Sequence, residues 1–460
     1  MKPLIDLVED LYHGETTAQA LVEGCLAAAD TPEGQGAATF VSIDHAGSLA
    51  RAKEIDSLRA AGEDIPFTAG IPFALKDLFD VAGEVTRAGS RTREDASPAD
   101  VHAEVIDQLD DAGMVPIGRA TMVEFAFGGI GTNPNFGTPL SVYDRAHGRV
   151  PGGSSSGSAV AVADGMAAVA LGTDTGGSCR IPAAYNGLVG FKPTSARVST
   201  EGVFPLSSSL DSVGPIGRTV GCCAMIDRLI SWEEALDPVT PVAPARPRRT
   251  RLGVLQNIVL EGMDKTVADA YEVALSRLSQ AGFTLVDADI DAIGKIPAHY
   301  ANGGIVGAEA FALHRAQLAT QRDQFDPRVA SRIELGADTD LPTYLDTLRA
   351  RAAIKEAATA AVVEREIDAL VLPTVAIVPP LLSEVAADDD YRRLNMLSLR
   401  NTLLANFLDW PAISQPMTPH GSAPAGLMLF GQYGDDETVF SIAAAVEQAL
   451  APTVSGGPVG

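Results

Sequence analysis

Residues 151–180 read PGGSSSGSAVAVADGMAAVALGTDTGGSCR, and this is the most unusual stretch of the chain. Two runs of glycine with serine or threonine, residues 152–158 and 172–178, flank an apolar segment. A glycine and serine run on its own is more often a flexible connector. Because Ala159–Val162 follows the first run and Ala167–Leu171 precedes the second, each run is predicted to be a tight turn held against a core.

Glycine turns at the start of helices leave backbone N–H groups free to bind an anion or a developing oxyanion. The first run lacks the lysine of a P-loop, and neither run fits the dinucleotide-binding fingerprint. An oxyanion hole needs a nucleophile beside it, and Ser178 directly follows Gly176 and Gly177. This order of residues favours an oxyanion hole with Ser178 as nucleophile over a phosphate site.

A serine nucleophile needs a base, and a histidine is one choice. Residues 153–157, GSSSG, fit the nucleophile elbow of α/β-hydrolases, in which Ser155 would attack with His299, His314 or His420 as its base. Such a pattern arises easily within a glycine and serine run, and none of these histidines lies in a distinctive motif. The nucleophile-elbow motif, with Ser155 as nucleophile, therefore remains an alternative to Ser178.

A buried lysine is the other choice, because burial disfavours its charged form and keeps the amine neutral near working pH. Lys76 follows the apolar run Ile71–Leu75, which reads as a short buried strand, so its side chain can turn from the strand end into a cleft. The ordinary alternative is a surface lysine that pairs with Asp77 or Asp80.

Strand and helix patterns alternate along the rest of the chain. Helical patterns cover Val101–Ala112 and Tyr344–Glu366. Further short apolar runs read as strands, namely Val115–Gly118, Ala167–Gly172, Leu252–Leu255, Thr284–Val286, Leu370–Leu372 and Gly426–Phe430. This alternation predicts an α/β fold with a large central sheet.

The composition disfavours several classes of protein. The 460 residues include 59 acidic and 34 basic ones, and the resulting charge of −25 repels nucleic-acid backbones and anionic membranes. No apolar run reaches the roughly 18 residues of a membrane span, and the N-terminus lacks a signal segment, so a cytoplasmic protein is expected. The four cysteines and seven histidines show no metal-ligand spacing, so no metal is expected.

With these residues in view, the chain resembles the amidase signature family. The family's core motif is similar to residues 152–158 together with residues 172–182, and the separation of Ser154 from Ser178 is that of the family. Residues 70–83 resemble the segment that carries the family's catalytic lysine. Weaker similarities, which extend the resemblance over most of the chain, lie at residues 209–215, 368–374 and 401–416.

Carried over residue by residue, the resemblance makes Ser178 the acylated nucleophile and Lys76 the general base. Ser154, which follows a cis peptide bond from Gly153 in this family, becomes the proton relay between them. All three residues are present, whereas a non-catalytic binding member of the fold would normally have lost one. The implied chemistry is a two-step acyl transfer that needs no cofactor.

The resemblance also implies two sets of supporting groups. Backbone N–H groups of four consecutive residues would form the oxyanion hole, namely Thr175, Gly176, Gly177 and Ser178. Four residues are expected to orient this turn, namely Ser155, Thr173, Asp174 and Arg180. Of these, Arg180 is also expected to contact the substrate.

The fold implied is that of the family, a large mixed β-sheet with helices on both faces, in one domain over residues 1–460. Residues 1–62 are predicted to be helical and residues 70–220 to form the core. The second half is predicted to be variable, with a helical insertion at 297–366 that covers a pocket. The tail 453–460 is expected to be disordered.

The activity implied is hydrolysis of the carbon–nitrogen bond of a small carboxamide to a carboxylate and ammonia or an amine. An aryl or indole acetamide is the predicted substrate type, and a homodimer is expected. The alternative is the glutaminase (A) subunit of a tRNA amidotransferase, which passes ammonia to a partner. Residues 326–336, with Arg332, resemble a segment that helps to hold glutamine in such subunits.

Overall fold

One mixed β-sheet runs through the computed structural model of the protein, which describes residues 1–232 and 237–451. The 11 strands of this sheet are Phe40–Ile43 (β1), Pro72–Lys76 (β2), Val115–Ala120 (β3), Val169–Thr173 (β4), Val189–Lys192 (β5), Val213–Gly217 (β6), Arg251–Leu255 (β7), Thr284–Ala288 (β8), Ala369–Pro373 (β9), Ala412–Pro416 (β10) and Gly426–Phe430 (β11). Their order across the sheet is β1-β3-β2-β4-β6-β5-β10-β11-β9-β7-β8. The predicted disordered tail, 453–460, lies outside the described residues.

Helices pack on both faces of the sheet, so the predicted α/β class and the mixed central sheet are confirmed. The helices are Leu4–His13 (α1), Ala18–Ala29 (α2), Gly36–Thr39 (α3), His45–Ala61 (α4), Glu104–Asp111 (α5), Ser156–Ala163 (α6), Arg180–Tyr185 (α7), Val220–Ile230 (α8), Lys265–Ala281 (α9), Asp291–Gly294 (α10), Gly304–Gln321 (α11), Pro327–Glu334 (α12), Leu341–Glu364 (α13), Asp388–Leu399 (α14), Leu403–Leu408 (α15) and Asp436–Leu450 (α16). No helix in the described part of the chain is both long enough and apolar enough to cross a membrane.

The apolar runs of the strands explain why the core has two layers. Successive side chains of a strand point to opposite faces of the sheet. In β11, Leu427 and Leu429 join one buried cluster, whereas Met428 and Phe430 join the other. Because all four side chains are fully buried, neither face of the sheet is open to water along this strand.

The prediction that residues 1–62 are helical is wrong at Phe40–Ile43, which forms β1. This strand pairs antiparallel with β3, and Phe40 lies opposite Ala120. Four residues are too few to show a strand period beside helical neighbours, and their state is decided by pairing with a distant strand. The sequence patterns also missed β5, β6 and β10 for the related reason that glycine, proline and polar residues interrupt them.

Three parallel strands bring predicted site residues together. The strand β2 lies between β3 and β4 and runs parallel to both, so their carboxyl ends share one edge of the sheet. In open α/β sheets, ligands bind beyond the carboxyl ends of strands. Lys76 is the last residue of β2 and Thr173 the last of β4. Residues 297–366, predicted to be a helical insertion over a pocket, include α11, α12 and α13. We call these residues the helical cover.

Candidate active site

Lys76 lies where two neighbouring strands end side by side. Its Nζ donates to Ser154 Oγ at 2.7 Å and to Thr173 Oγ1 at 2.8 Å. Lys76 and Ser154 are both fully buried, so water does not compete for this contact. Predicted base and predicted relay, far apart along the chain, are therefore in direct hydrogen-bond contact.

Burial lowers the pKa of Lys76 from 10.5 to about 8, because the ammonium form loses hydration inside the protein. The carboxylates of Asp211 and Asp174 act in the opposite direction and offset only part of this effect. About half of the amine is then neutral near pH 8.

The first glycine turn, residues 152–158, places Ser154 and Ser155 next to the second, residues 172–178. The peptide bond between Gly153 and Ser154 is cis, which is the geometry that the family resemblance implies. The Ser155 N–H donates to the Ser178 carbonyl at 3.3 Å, and Ser155 Oγ donates to the Thr173 carbonyl at 3.4 Å. These contacts place the two glycine turns against each other, and α6 begins at the next residue.

We call residues 174–178 the oxyanion turn. The backbone N–H groups of Thr175, Gly176 and Ser178 have no acceptor among residues 1–232 and 237–451. The Gly177 N–H instead donates to Asp174 Oδ1 at 2.8 Å. The prediction that all four N–H groups form the oxyanion hole is therefore corrected for Gly177, since its donor is already satisfied by a carboxylate.

A buried cluster of Asp174, Arg180 and Asn406 supports this turn. Arg180 donates to both Asp174 oxygens, from Nη2 to Oδ1 at 2.8 Å and from Nε to Oδ2 at 3.0 Å. Asn406 Nδ2 donates to Asp174 Oδ1 at 2.9 Å. Burial by itself would raise the pKa of Asp174, but the Arg180 charge and these donors hold it well below its ordinary value. Asp174 therefore stays ionised and keeps its hold on the Gly177 N–H.

The predicted contact of Arg180 with substrate is wrong in this structure. Arg180 is fully buried, and its remaining nitrogen, Nη1, donates to the Thr402 carbonyl at 3.0 Å. Its five N–H donors meet five protein acceptors, the last of which is Met428 Sδ, so no donor is left for a ligand. Its place is beneath the oxyanion turn, where it supports Asp174.

Ser178 lies on the wall of a pocket of about 150 Å³, beside Thr175 and Gly176. The Ser178 hydroxyl has no hydrogen-bond partner in the part of the chain that the structure describes. Most of the wall is apolar and comes from distant segments, namely Phe127, Leu206, Val306, Leu335, Leu399 and Leu403.

Two polar side chains interrupt this apolar wall. The Nη1 and Nη2 atoms of Arg332 are buried and have no hydrogen-bond partner among the residues that the structure describes, while Nε donates to the Arg328 carbonyl at 3.1 Å. Asn395 Oδ1 accepts the Gly129 N–H at 2.8 Å, and its Nδ2 has no acceptor within the described residues. The pocket therefore presents unused donors away from Ser178.

The nucleophile-elbow alternative is wrong. Ser155 is fully buried, and no histidine forms a hydrogen bond with it in the described parts of the chain. His314 packs against the Phe125 ring at 4.1 Å between centroids, and burial lowers its pKa to about 4. His299 and His420 also lack any hydrogen bond to a serine there.

Sequence reasoning missed Asn406 and Asn395 as individual site residues. Asn406 lies in α15, which reads LLANFL, and Asn395 lies between Leu394 and Met396 in α14. Both asparagines are buried. A single amide within an apolar stretch of helix must find hydrogen-bond partners when it is buried, and this was the available signal.

The chain matches a family model, Amidase, over residues 20–440. A 2-amino-5-chloromuconic acid deaminase from Comamonas testosteroni is 33% identical over 444 residues, which cover 96% of this chain and 94% of that protein. The A subunit of a glutamyl-tRNA(Gln) amidotransferase from a Nitratiruptor species is 35% identical over 407 residues, 83% of this chain and 90% of that one. A crystal structure of an amidase superposes with a TM-score of 0.86 at 30% identity, and covers 97% of this chain and 99% of that chain.

Proposed function

We propose that this chain, which belongs to the Amidase family and is a hydrolase of amide carbon–nitrogen bonds, cleaves a small carboxamide through an acyl-enzyme on Ser178. The observation that carries the proposal is the 2.7 Å contact between Lys76 Nζ and Ser154 Oγ, buried behind the pocket wall that holds Ser178. A lysine in that place serves as a base without any histidine or metal.

The first half-reaction acylates Ser178. Neutral Lys76 accepts the Ser154 proton while Ser154 takes the proton of Ser178, whose oxygen attacks the amide carbon. Within the described residues, the Ser178 hydroxyl makes no hydrogen bond that must break before it turns toward Ser154. Catalytic hydrogen bonds such as the one between these two serines often form only when substrate binds. The free N–H groups of Thr175, Gly176 and Ser178 are the donors for the oxyanion that forms.

The second half-reaction restores the enzyme. The proton held by Lys76 returns through Ser154 to the leaving nitrogen, which departs as ammonia or an amine. Water then gives a proton to the same relay and attacks the acyl carbon. The bond from that carbon to the Ser178 oxygen breaks, the relay returns the proton to this oxygen, and the acid that is released ionises to a carboxylate. Each proton that enters the relay leaves it again, so the cycle needs no further reactant.

The pH dependence tests the base. We expect kcat/KM to rise with pH through a midpoint near 8, because only the neutral Lys76 accepts a proton and burial lowers its pKa to about 8. An exposed lysine would place the midpoint near 10.5. Initial rates of ammonia release between roughly pH 6 and 10 measure the profile. A flat profile argues against Lys76 as base.

Lys192 supplies the matched control for this profile. It is a second buried lysine, and burial lowers its pKa to about 8 as well. Its Nζ donates to the adjacent Pro193 carbonyl, and the residue does not line the pocket. Lys192→Met should therefore keep the wild-type midpoint, whereas loss of the midpoint in this variant would assign the titration to Lys192.

The pocket indicates the class of amide. Its apolar wall suits a hydrocarbon body, as in the predicted aryl acetamides, while Arg332 Nη1 and Nη2 and Asn395 Nδ2 offer N–H donors that no acceptor within the described residues engages. A buried guanidinium with two unpaired nitrogens favours a planar, two-oxygen anion. We therefore infer that the substrate carries a carboxylate apart from its scissile amide, as glutamine and the monoamides of dicarboxylic acids do.

Removing the guanidinium should separate charged from neutral substrates. We expect Arg332→Ala to raise KM about 10- to 100-fold for carboxylate-bearing amides, since a charged hydrogen-bonded pair is lost. For neutral amides of equal length the change should stay within about threefold. Steady-state kinetics on paired substrates measure both. An equal rise in KM for charged and neutral amides would show that Arg332 shapes the pocket wall but does not recognise the substrate's charge.

The function itself is tested by ammonia release from the purified chain alone over aliphatic, aryl and amino-acid amides with glutamine included. Turnover without any partner protein supports a stand-alone amidase. Activity confined to glutamine and dependent on a second protein would favour the amidotransferase alternative, which is supported by Arg332 and by the 35% identity to an amidotransferase component.

A further inference from the structure

Glu309, in α11, joins the helical cover to the pocket through hydrogen bonds. Its Oε2 accepts hydrogen bonds from Ser207 Oγ at 2.6 Å and from the Ser209 N–H at 3.1 Å. Its Oε1 accepts the hydroxyls of Ser209 and Tyr344, the latter at 2.6 Å from α13. We call residues 205–209 the serine loop. One carboxylate thus collects four donors, three of them from the serine loop.

The serine loop is bonded in turn to the oxyanion turn. The N–H groups of Leu206 and Ser207 donate to Asp211 Oδ2 at 2.9 and 3.0 Å. Thr175 Oγ1 donates to Asp211 Oδ1 at 2.5 Å. Burial raises the pKa of Asp211 to about 6. Above that pH the Asp211 side chain is ionised, and both of its oxygens accept hydrogen bonds from these three donors. A continuous set of hydrogen bonds therefore runs from Glu309 to Thr175.

The end of this path is a group that the proposed reaction uses. Thr175 lines the pocket beside Ser178, and its N–H has no protein acceptor in the described parts of the chain. An N–H group stabilises an oxyanion only if it is aimed at the position where the charge develops. The Thr175 side chain is fixed by Asp211, and Asp211 is fixed by the loop that Glu309 holds.

We propose that Glu309 is a positioning residue that acts through the serine loop and Asp211 to aim the Thr175 N–H at the oxyanion. The proposal rests on the proposed function of Ser178. It assigns to the helical cover a part in catalysis as well as in closing the pocket. Glu309 does not touch the reacting atoms, and its effect falls on the transition state.

The test is Glu309→Gln, which replaces one of the two accepting oxygens by a donor. We expect kcat to fall about 10- to 100-fold with KM within about threefold, as for a partly misaimed oxyanion donor. Phenylboronic acid, whose tetrahedral adduct on a serine places an oxygen in the oxyanion hole, should bind more weakly by a similar factor. The matched control is Glu356→Gln, the same change on an exposed residue of α13, with kcat and inhibition unchanged.

A purely structural role predicts a different pattern. It would lower the melting temperature or the fraction of active enzyme, while kcat per active site and boronate affinity stayed at wild-type values, and this result overturns the proposal. If Glu309→Gln does not fold, Tyr344→Phe and Ser207→Ala each remove one donor and carry the same test. A wild-type chain that neither releases ammonia nor binds the boronate would contradict the proposed function itself.

Discussion

Ser178→Ala is expected to lower kcat/KM for amide hydrolysis by about four orders of magnitude or more, the scale seen when a serine nucleophile is removed. The physical reason is that the other hydroxyls on the described pocket wall, those of Thr175 and Tyr300, already donate to Asp211 and to the Leu403 carbonyl. The fold should persist, because the hydroxyl makes no hydrogen bond within the described residues that the substitution would break. Ammonia release and thermal unfolding measure the two properties.

Ser155→Ala is the control for that variant. Ser155 lies 0% exposed and donates to the Thr173 carbonyl, so its loss should loosen the turn and reduce activity by less than about a hundredfold. A larger loss of activity for Ser155→Ala than for Ser178→Ala would indicate that Ser155, and not Ser178, is the nucleophile. Wild-type turnover by Ser178→Ala would refute the acyl-enzyme altogether.

Lys76→Ala should lower kcat/KM by about 10² to 10⁴, the usual contribution of a positioned general base. Without the amine, the Ser154 hydroxyl loses the group to which it passes a proton. Steady-state rates at several pH values check the size of the loss and show whether the rise near pH 8 disappears with it.

Lys76→Met separates chemistry from packing. Methionine fills most of the buried space that alanine leaves empty, and empty space in a core destabilises by roughly 2 to 5 kcal/mol. Both variants should be equally inactive, while Lys76→Met unfolds at the higher temperature. Activity within tenfold of wild type in Lys76→Met would exclude the lysine as base.

The residues that the sequence located best are those in local patterns. Lys76 and Thr173 end apolar strands, and parallel pairing of such strands brings their ends together. The glycine turn before Ser178 is likewise local, because Gly177 adopts a φ of 128° and a Cβ there would lie 2.1 Å from Thr402 Oγ1. Motif and backbone requirement coincide at these positions.

The residues that the sequence did not resolve depend on contacts between distant segments. Asn406 bonds Asp174 across 232 positions, and Glu309 bonds Ser207 across 102. Hydrogen bonds of this kind leave no periodicity in either segment, so no pattern announces them. Arg180 was misassigned for the same reason. Its charge suits a substrate contact, and only the structure shows that buried protein groups accept its hydrogen bonds.

Mass spectrometry can show whether the acyl group of the substrate is transferred to Ser178. Enzyme quenched with acid during turnover of a slow amide is digested, and its peptides are searched for the added acyl mass. We expect that mass on Ser178 in the wild type and its absence in Ser178→Ala. An acyl group found on Ser154 or Ser155, or steady turnover with no acylated peptide, would rule out Ser178 as the acylated nucleophile.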